Sequence, residues 1–103
     1  EKSSAMGPFL ITADEVGELG PLTLETLVNG VRMQHTTFDK MLFSVPYTIA
    51  YLSGLARLNP GDVIATGTPE GVGFKRTPPQ FLKPGDMVEV AIDRVGTLKN
   101  RIA

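Results

Sequence analysis

Two threonines and three glycines share one stretch of eight residues, Thr66-Gly67-Thr68-Pro69-Glu70-Gly71-Val72-Gly73. The stretch follows Val63-Ile64-Ala65, an apolar run that reads as a buried strand. Thr66 and Thr68 supply hydroxyls, and Gly67 leaves its neighbours' N–H groups unhindered. Fixed donors aimed at one point can hold a carboxylate or an enolate oxygen. The plainer alternative is a strand-end turn whose glycines serve geometry alone, and local chemistry leaves the two even. A phosphate loop is excluded, because no Gly-Lys-Ser/Thr ending is present.

Other reactive types are sparse. His35 is the only histidine. It falls near a hairpin end before Thr36 and Thr37, where a surface role is favoured over a base or ligand. No His-x-x-His or His-Glu pairing offers a zinc site. Asp14 and Glu15 suit a helix N-terminus, and Asp62 and Asp86 suit turns. Asp39 suits a local cap. Glu70 is the one carboxylate in the glycine-rich stretch and is kept as a weak candidate. There is no Gly-x-Ser-x-Gly nucleophile elbow.

The elements that must position these residues follow from period and punctuation. Phe9-Leu10-Ile11 reads as a strand end. Thr12-Ala13-Asp14-Glu15 matches a capping box, with Thr12 and Glu15 exchanging side-chain and backbone contacts, so one helical turn is expected before Gly17. Residues 22–28 alternate with period two, Asn29-Gly30 is a strong hairpin signal, and residues 31–35 return. Ser44-Val45-Pro46 opens the main helix, about residues 45–57, with Ile49, Leu52, Leu55 and Ala56 on one stripe. Asn59-Pro60-Gly61-Asp62 and Lys83-Pro84-Gly85-Asp86 each read as a type II turn. Residues 87–92 and 95–102 close as strands. The expected class is α+β, mostly β, with no internal boundary across residues 1–103.

Composition narrows the function classes. Of 103 residues, 42% are hydrophobic and 20% charged, and the formal net charge is −1. That balance gives no basic stripe for nucleic acid and no attraction to an anionic membrane. No run reaches the roughly 18 apolar residues of a membrane span. There is no cysteine, so disulfides and thiolate metal sites are excluded. The first residues lack signal-peptide features, and the expected location is the cytoplasm. Without an initiator Met, the chain is expected to begin inside a longer protein or after processing.

The order of motifs resembles the fumarylacetoacetate hydrolase family. The resemblance runs from Gly7-Pro8 through Thr12-x-Asp14-Glu15, Val28-Asn29-Gly30, Arg32-x-Gln34 and Met41-x-Phe43. It continues over the Ser53-bearing helix, residues 58–69, Gly71-Val72-Gly73 and residues 82–86. Each piece is weak alone; the Thr-Gly-Thr-Pro loop between two Pro-Gly-Asp turns is specific. The resemblance implies part of a mixed β-sandwich roll, usually dimeric. It also implies Mg2+ or Mn2+, held by a Glu-x-Glu pair and an Asp, and a 2-oxo acid or 1,3-diketone substrate processed through a metal-stabilised enolate.

Carried over residue by residue, Thr68 matches the family's substrate-contacting threonine, and Thr66 and Gly67 line the same loop. The family's metal ligands, catalytic Lys and lid residues precede Gly7-Pro8, so no catalytic or metal role falls on this chain, and Glu1 is given none. Val31 departs from the family's usual Glu after Asn-Gly, a position that is not a metal ligand. Two functions compete. One is the substrate-side portion of a metal-dependent hydrolase, decarboxylase or isomerase. The other is an inactive structural or dimerisation fragment, whose missing N-terminal half could be a separate segment. Either way, a fragment cut here is expected to expose the apolar faces of Leu22, Leu24 and Val63.

Overall fold

The Asn29-Gly30 pair sets the centre of the fold. In a computed structural model that describes residues 4–103, Asn29 has φ 51° and Gly30 φ 79°. A two-residue hairpin needs this left-handed pair to match the strand twist. It joins β1 (Thr23–Val28) to β2 (Val31–Thr37). On the other side of β1 lies β3 (Met87–Ile92), and β4 (Gly96–Arg101) forms the far edge. The sheet order is β2-β1-β3-β4, antiparallel throughout. Asn29 also ties the hairpin tip to β3: its Nδ2 donates to Asp86 Oδ1 at 2.9 Å, and its Oδ1 accepts from Met87 N at 2.9 Å.

The register sorts the side chains by chemistry. Leu24, Thr26 and Val28 stand opposite Ile92, Val90 and Val88, making one largely apolar face. The other face carries Glu25 and Glu89 with the ion pairs Arg32–Glu25 (3.8 Å) and Lys99–Glu89 (2.7 Å). Exposed pairs of this kind contribute about 0–1 kcal/mol, so the apolar face carries more of the packing energy. Two apolar residues among those described are buried, Val16 at 7% and Leu22 at 3% exposure. Val16 ends α1 (Ala13–Val16), whose last carbonyl accepts from Arg94 Nη1 at 3.2 Å.

The main helix, α2 (Val45–Leu55), starts as expected. Ser44 Oγ accepts from Tyr47 N at 3.3 Å, and Pro46 occupies the first turn. It stops two residues short of the expected 57. Ala56 is extended, with φ −151°, and Asp62 Oδ2 accepts from Asn59 N at 2.7 Å. That side-chain bond offers the backbone a turn in place of another helical one. Both Pro-Gly-Asp turns form as read. Asp62 N donates to Asn59 O at 3.1 Å and Asp86 N to Lys83 O at 3.0 Å, with Gly61 and Gly85 at positive φ.

Several expectations are corrected. Residues 63–65 are not a strand; they are irregular, and Val63 is 70% exposed. An apolar run becomes a strand only beside a partner edge, and none lies there among the described residues. Phe9-Leu10-Ile11 is likewise irregular; the Phe9 ring lies close against Gly96. The capping box at Thr12 does not form. Thr12 makes no side-chain cap; its carbonyl accepts from Glu15 and Val16 N–H. Leu22 is buried, not exposed. Glu1 lies outside the described residues.

Exposed apolar side chains cluster elsewhere, notably Leu42, Phe43, Tyr47, Tyr51 and Leu55 on and before α2. The chain's accessible surface is 8267 Å2. A self-contained folded chain of this mass exposes about 5,700 Å2.

Three aspartates couple this fold to pH. The Asn29 amide holds Asp86 below its ordinary value of 3.8, helped by the Lys83 N–H. The Thr23 hydroxyl and N–H do the same for Asp93, and the Thr12 hydroxyl for Asp14. A depressed carboxylate stabilises the fold above its unfolded value, and this is lost as pH falls through its folded value. Acid should therefore erode stability from about pH 4 downward. Replacing Asp86→Asn and Asp93→Asn together should flatten that slope in urea midpoints measured against pH; an unchanged slope would contradict the assignment.

Candidate substrate-binding loop

The loop at residues 66–73 gets its shape from a defect in β2. Thr26 pairs with Gln34 and Leu27 with Arg32, which leaves Met33 as an extra residue in a β-bulge. A bulge leaves one residue out of the ladder and bends the strand. The Met33 carbonyl accepts from Arg76 Nη2, while Arg76 Nε donates to Gly71 O at 3.1 Å. One guanidinium thus ties the loop to the bulge, using the fixed fork that sets Arg apart from Lys.

Gly71 makes this approach possible. Its φ is +97°, and a Cβ placed there would sit 2.2 Å from Met33 O. No side chain fits that gap, so the residue type is set by backbone contact rather than by the turn alone.

Gln34, next to the bulge, holds the loop's other end. Its Nε2 lies 2.9 Å from Thr68 Oγ1, 2.9 Å from Pro69 O and 3.4 Å from Glu70 O. Among the described residues, the N–H groups of residues 66–73 make no backbone hydrogen bond. Thr66, Gly67 and Thr68 are exposed. The Thr66 and Thr68 hydroxyls therefore stand on an exposed stretch whose backbone is anchored at Pro69 O and Gly71 O.

These donors border a cleft of about 480 Å3. Its walls include Thr66, Gly67 and Thr68 from the loop, Thr36 and Thr37 from β2, and Lys40 from the short helical turn after β2. Lys40 is the cationic side chain on this wall. The arrangement suits a small anion: hydroxyls and N–H groups to bind oxygen, and a positive charge to balance it.

All three candidate residues thus meet on one cleft. The other candidates do not join them. His35 is exposed and pairs across from Glu25 on the charged face. Glu70 is exposed and turns a backbone oxygen, not its carboxylate, toward Gln34. Among the described residues, no three of His, Asp and Glu converge as a metal cage, so the side chains described do not fit a metal ion by themselves. Sequence reasoning missed Lys40, Arg76 and the part played by Gln34. Gln34 stood in the Arg32-x-Gln34 motif, but spacing alone does not reveal which loop a strand side chain will meet.

The profile of the fumarylacetoacetate (FAA) hydrolase C-terminal family matches residues 1–103. The chain belongs to the fumarylacetoacetate hydrolase family. It is 46% identical over 97 residues to oxaloacetate tautomerase YisK of Bacillus subtilis, covering 94% of this chain and 32% of that protein. Among solved structures it resembles the fumarylacetoacetate hydrolase of Exiguobacterium antarcticum, with TM-score 0.88 and 39% identity over 93% of this chain and 34% of that one. It also resembles the maleylpyruvate hydrolase of Sphingobium sp. SYK-6, solved with manganese(II) ion and pyruvate. There the TM-score is 0.84 and the identity 36%, over 94% of this chain and 34% of that one. The chain spans about a third of the length of these relatives. The expected class, mostly β with one main helix as part of the family fold, is what these likenesses show. No described helix is long and apolar enough to cross a membrane.

The close approach at Gly71 is directly testable. Gly71→Ala must relieve both the overlap with Met33 O and a positive φ. The φ alone costs about 1–2 kcal/mol. We expect a loss of about 2 kcal/mol or more in denaturant unfolding, with faster hydrogen exchange centred on residues 71–76. Unchanged exchange there would refute the docking role.

Proposed function

We propose that this chain is the C-terminal, substrate-side portion of one fumarylacetoacetate hydrolase-like catalytic domain. The whole enzyme would hydrolyse, decarboxylate or isomerise a 2-oxo acid or an acylpyruvate-type 1,3-diketone. The observation that carries the reading is that Thr66, Gly67 and Thr68, on the anchored loop, line one cleft with Lys40. Relatives named for oxaloacetate and maleylpyruvate, and one solved with pyruvate, support the substrate class.

In this reading the Thr68 hydroxyl donates to a substrate carboxylate or carbonyl oxygen. Thr66 and the N–H groups around Gly67 line the same side, and Lys40 balances the substrate's charge. A bond to an oxygen that gains charge strengthens as the charge grows, which favours the enolate over the starting ketone. A divalent ion, Mg2+ or Mn2+, would supply Lewis acidity. The described side chains do not form its cage, and its ligands would lie upstream. The proposed setting is the cytoplasm, which a cysteine-free chain fits.

One observation favours the second reading, that these 103 residues alone form an inactive structural or dimerisation unit. The surface excess over a self-contained fold, about 2,600 Å2, is larger than the roughly 800 Å2 that each partner of a stable complex buries. The excess would be covered by the rest of a longer chain, by a second copy in a homodimer, or by both. The 103-residue chain alone should then associate in light scattering and bind Mg2+ weakly in calorimetric titration. A clean monomer, or a tight stoichiometric Mg2+ site, would contradict this.

For the leading reading, the full-length enzyme is assayed with oxaloacetate and acetylpyruvate at saturating Mg2+. Thr68→Val should lower kcat/KM by about 10- to 100-fold, the range for a hydrogen bond to a charged group. Thr68→Ser, which keeps the hydroxyl, should lose far less. Absence of turnover of either 2-oxo acid by the unaltered enzyme would sink the reading for these substrates.

A further inference from the structure

We infer that Gln34 is a positioning residue that presets Thr68 as a hydrogen-bond donor, its hydrogen held free for an acceptor oxygen in the cleft. The inference rests on the substrate-loop reading of residues 66–73 and deepens it.

Polarity follows from the acceptors around one amide. Gln34 Nε2 faces three oxygens: Thr68 Oγ1, Pro69 O and Glu70 O. The last two are backbone carbonyls and only accept. Turning the amide over would set its oxygen against both carbonyls, so the NH2 group must face the loop. The partner of Thr68 is therefore an N–H donor. A hydroxyl has one hydrogen and two lone pairs. Gln34 occupies a lone pair, which leaves the Thr68 hydrogen free to point elsewhere.

Thr68 lines the cleft and is exposed there, so that hydrogen is available to a ligand. A carboxylate, keto or enolate oxygen satisfies it. The same amide fixes the backbone at Pro69, so the donor is oriented before substrate arrives. Donors held in place by the fold need no rearrangement as charge develops on the oxygen.

Three variants of the full-length enzyme test this with oxaloacetate and saturating Mg2+. In Gln34→Glu, the carboxylate accepts the Thr68 hydrogen and removes the donor from the cleft. We expect kcat at neutral pH to fall about 10- to 100-fold, with KM changing less. The loss should shrink toward acid pH as the introduced carboxyl takes up a proton, a recovery the unaltered enzyme does not show. In the Thr68→Val background, Gln34→Glu should cost less than about threefold further, because residues acting through one contact are not additive.

If Gln34→Glu fails to fold, Gln34→Met enters the same cycle. It is similar in shape and lacks both amide groups. Multiplicative losses in the double variant, or a kcat unmoved by Gln34→Glu, would overturn the positioning role while leaving the substrate loop intact. A silent Thr68→Val would overturn the substrate-loop reading itself, and this inference with it.

Discussion

The contact on which the site depends is the docking of a loop against a strand irregularity. Met33 is an extra residue in β2, and its carbonyl is left outside the ladder. A buried or half-buried carbonyl needs a donor, and Arg76 provides it while holding Gly71 O. Gln34, the next residue, reaches Thr68 and Pro69 from the same strand. Two adjacent residues of one strand thereby hold both ends of the loop. Without the bulge, the register of β2 would turn Gln34 to the other face, because side chains alternate with period two. The position of Thr68 is thus a consequence of pairing between β1 and β2, more than thirty residues away in sequence.

The rest of the fold serves that strand. The hairpin at Asn29-Gly30 sets the pairing of β1 and β2, and Asn29 joins the tip to β3 through Asp86 and Met87. The sheet presents one apolar face to the loop and keeps its ion pairs on the other. Yet the apolar side chains are only partly covered, and α2 leaves Tyr47, Tyr51 and Leu55 exposed. The chain spans about a third of the length of its relatives, and these apolar side chains lie on its surface.

Local rules were legible wherever a few neighbouring residues decide the backbone. The hairpin, both Pro-Gly-Asp turns, the Ser44 cap and the single turn at α1 form where residue type predicts. These features depend on positive φ, a fixed proline φ or a hydroxyl within three residues. The errors lie where the decision is made elsewhere. Residues 63–65 have strand composition but no partner edge. Leu22 was expected to be exposed yet is one of the two buried apolar residues among those described. Thr12 makes no side-chain bond to the helix N-terminus, so the turn at α1 forms without its capping box.

The sequence by itself determined the family resemblance, the turn chemistry and the choice of Thr66, Gly67 and Thr68 as the residues to watch. It could do so because glycine, proline and threonine carry their constraints within a few bonds. Only the tertiary structure decided that Gln34 donates to Thr68, that Arg76 bridges two segments, that Lys40 borders the same cleft and that His35 faces away. Those facts follow from strand register and from one bulge. A one-residue shift in pairing exchanges every side chain between faces, and no short-range pattern records that shift.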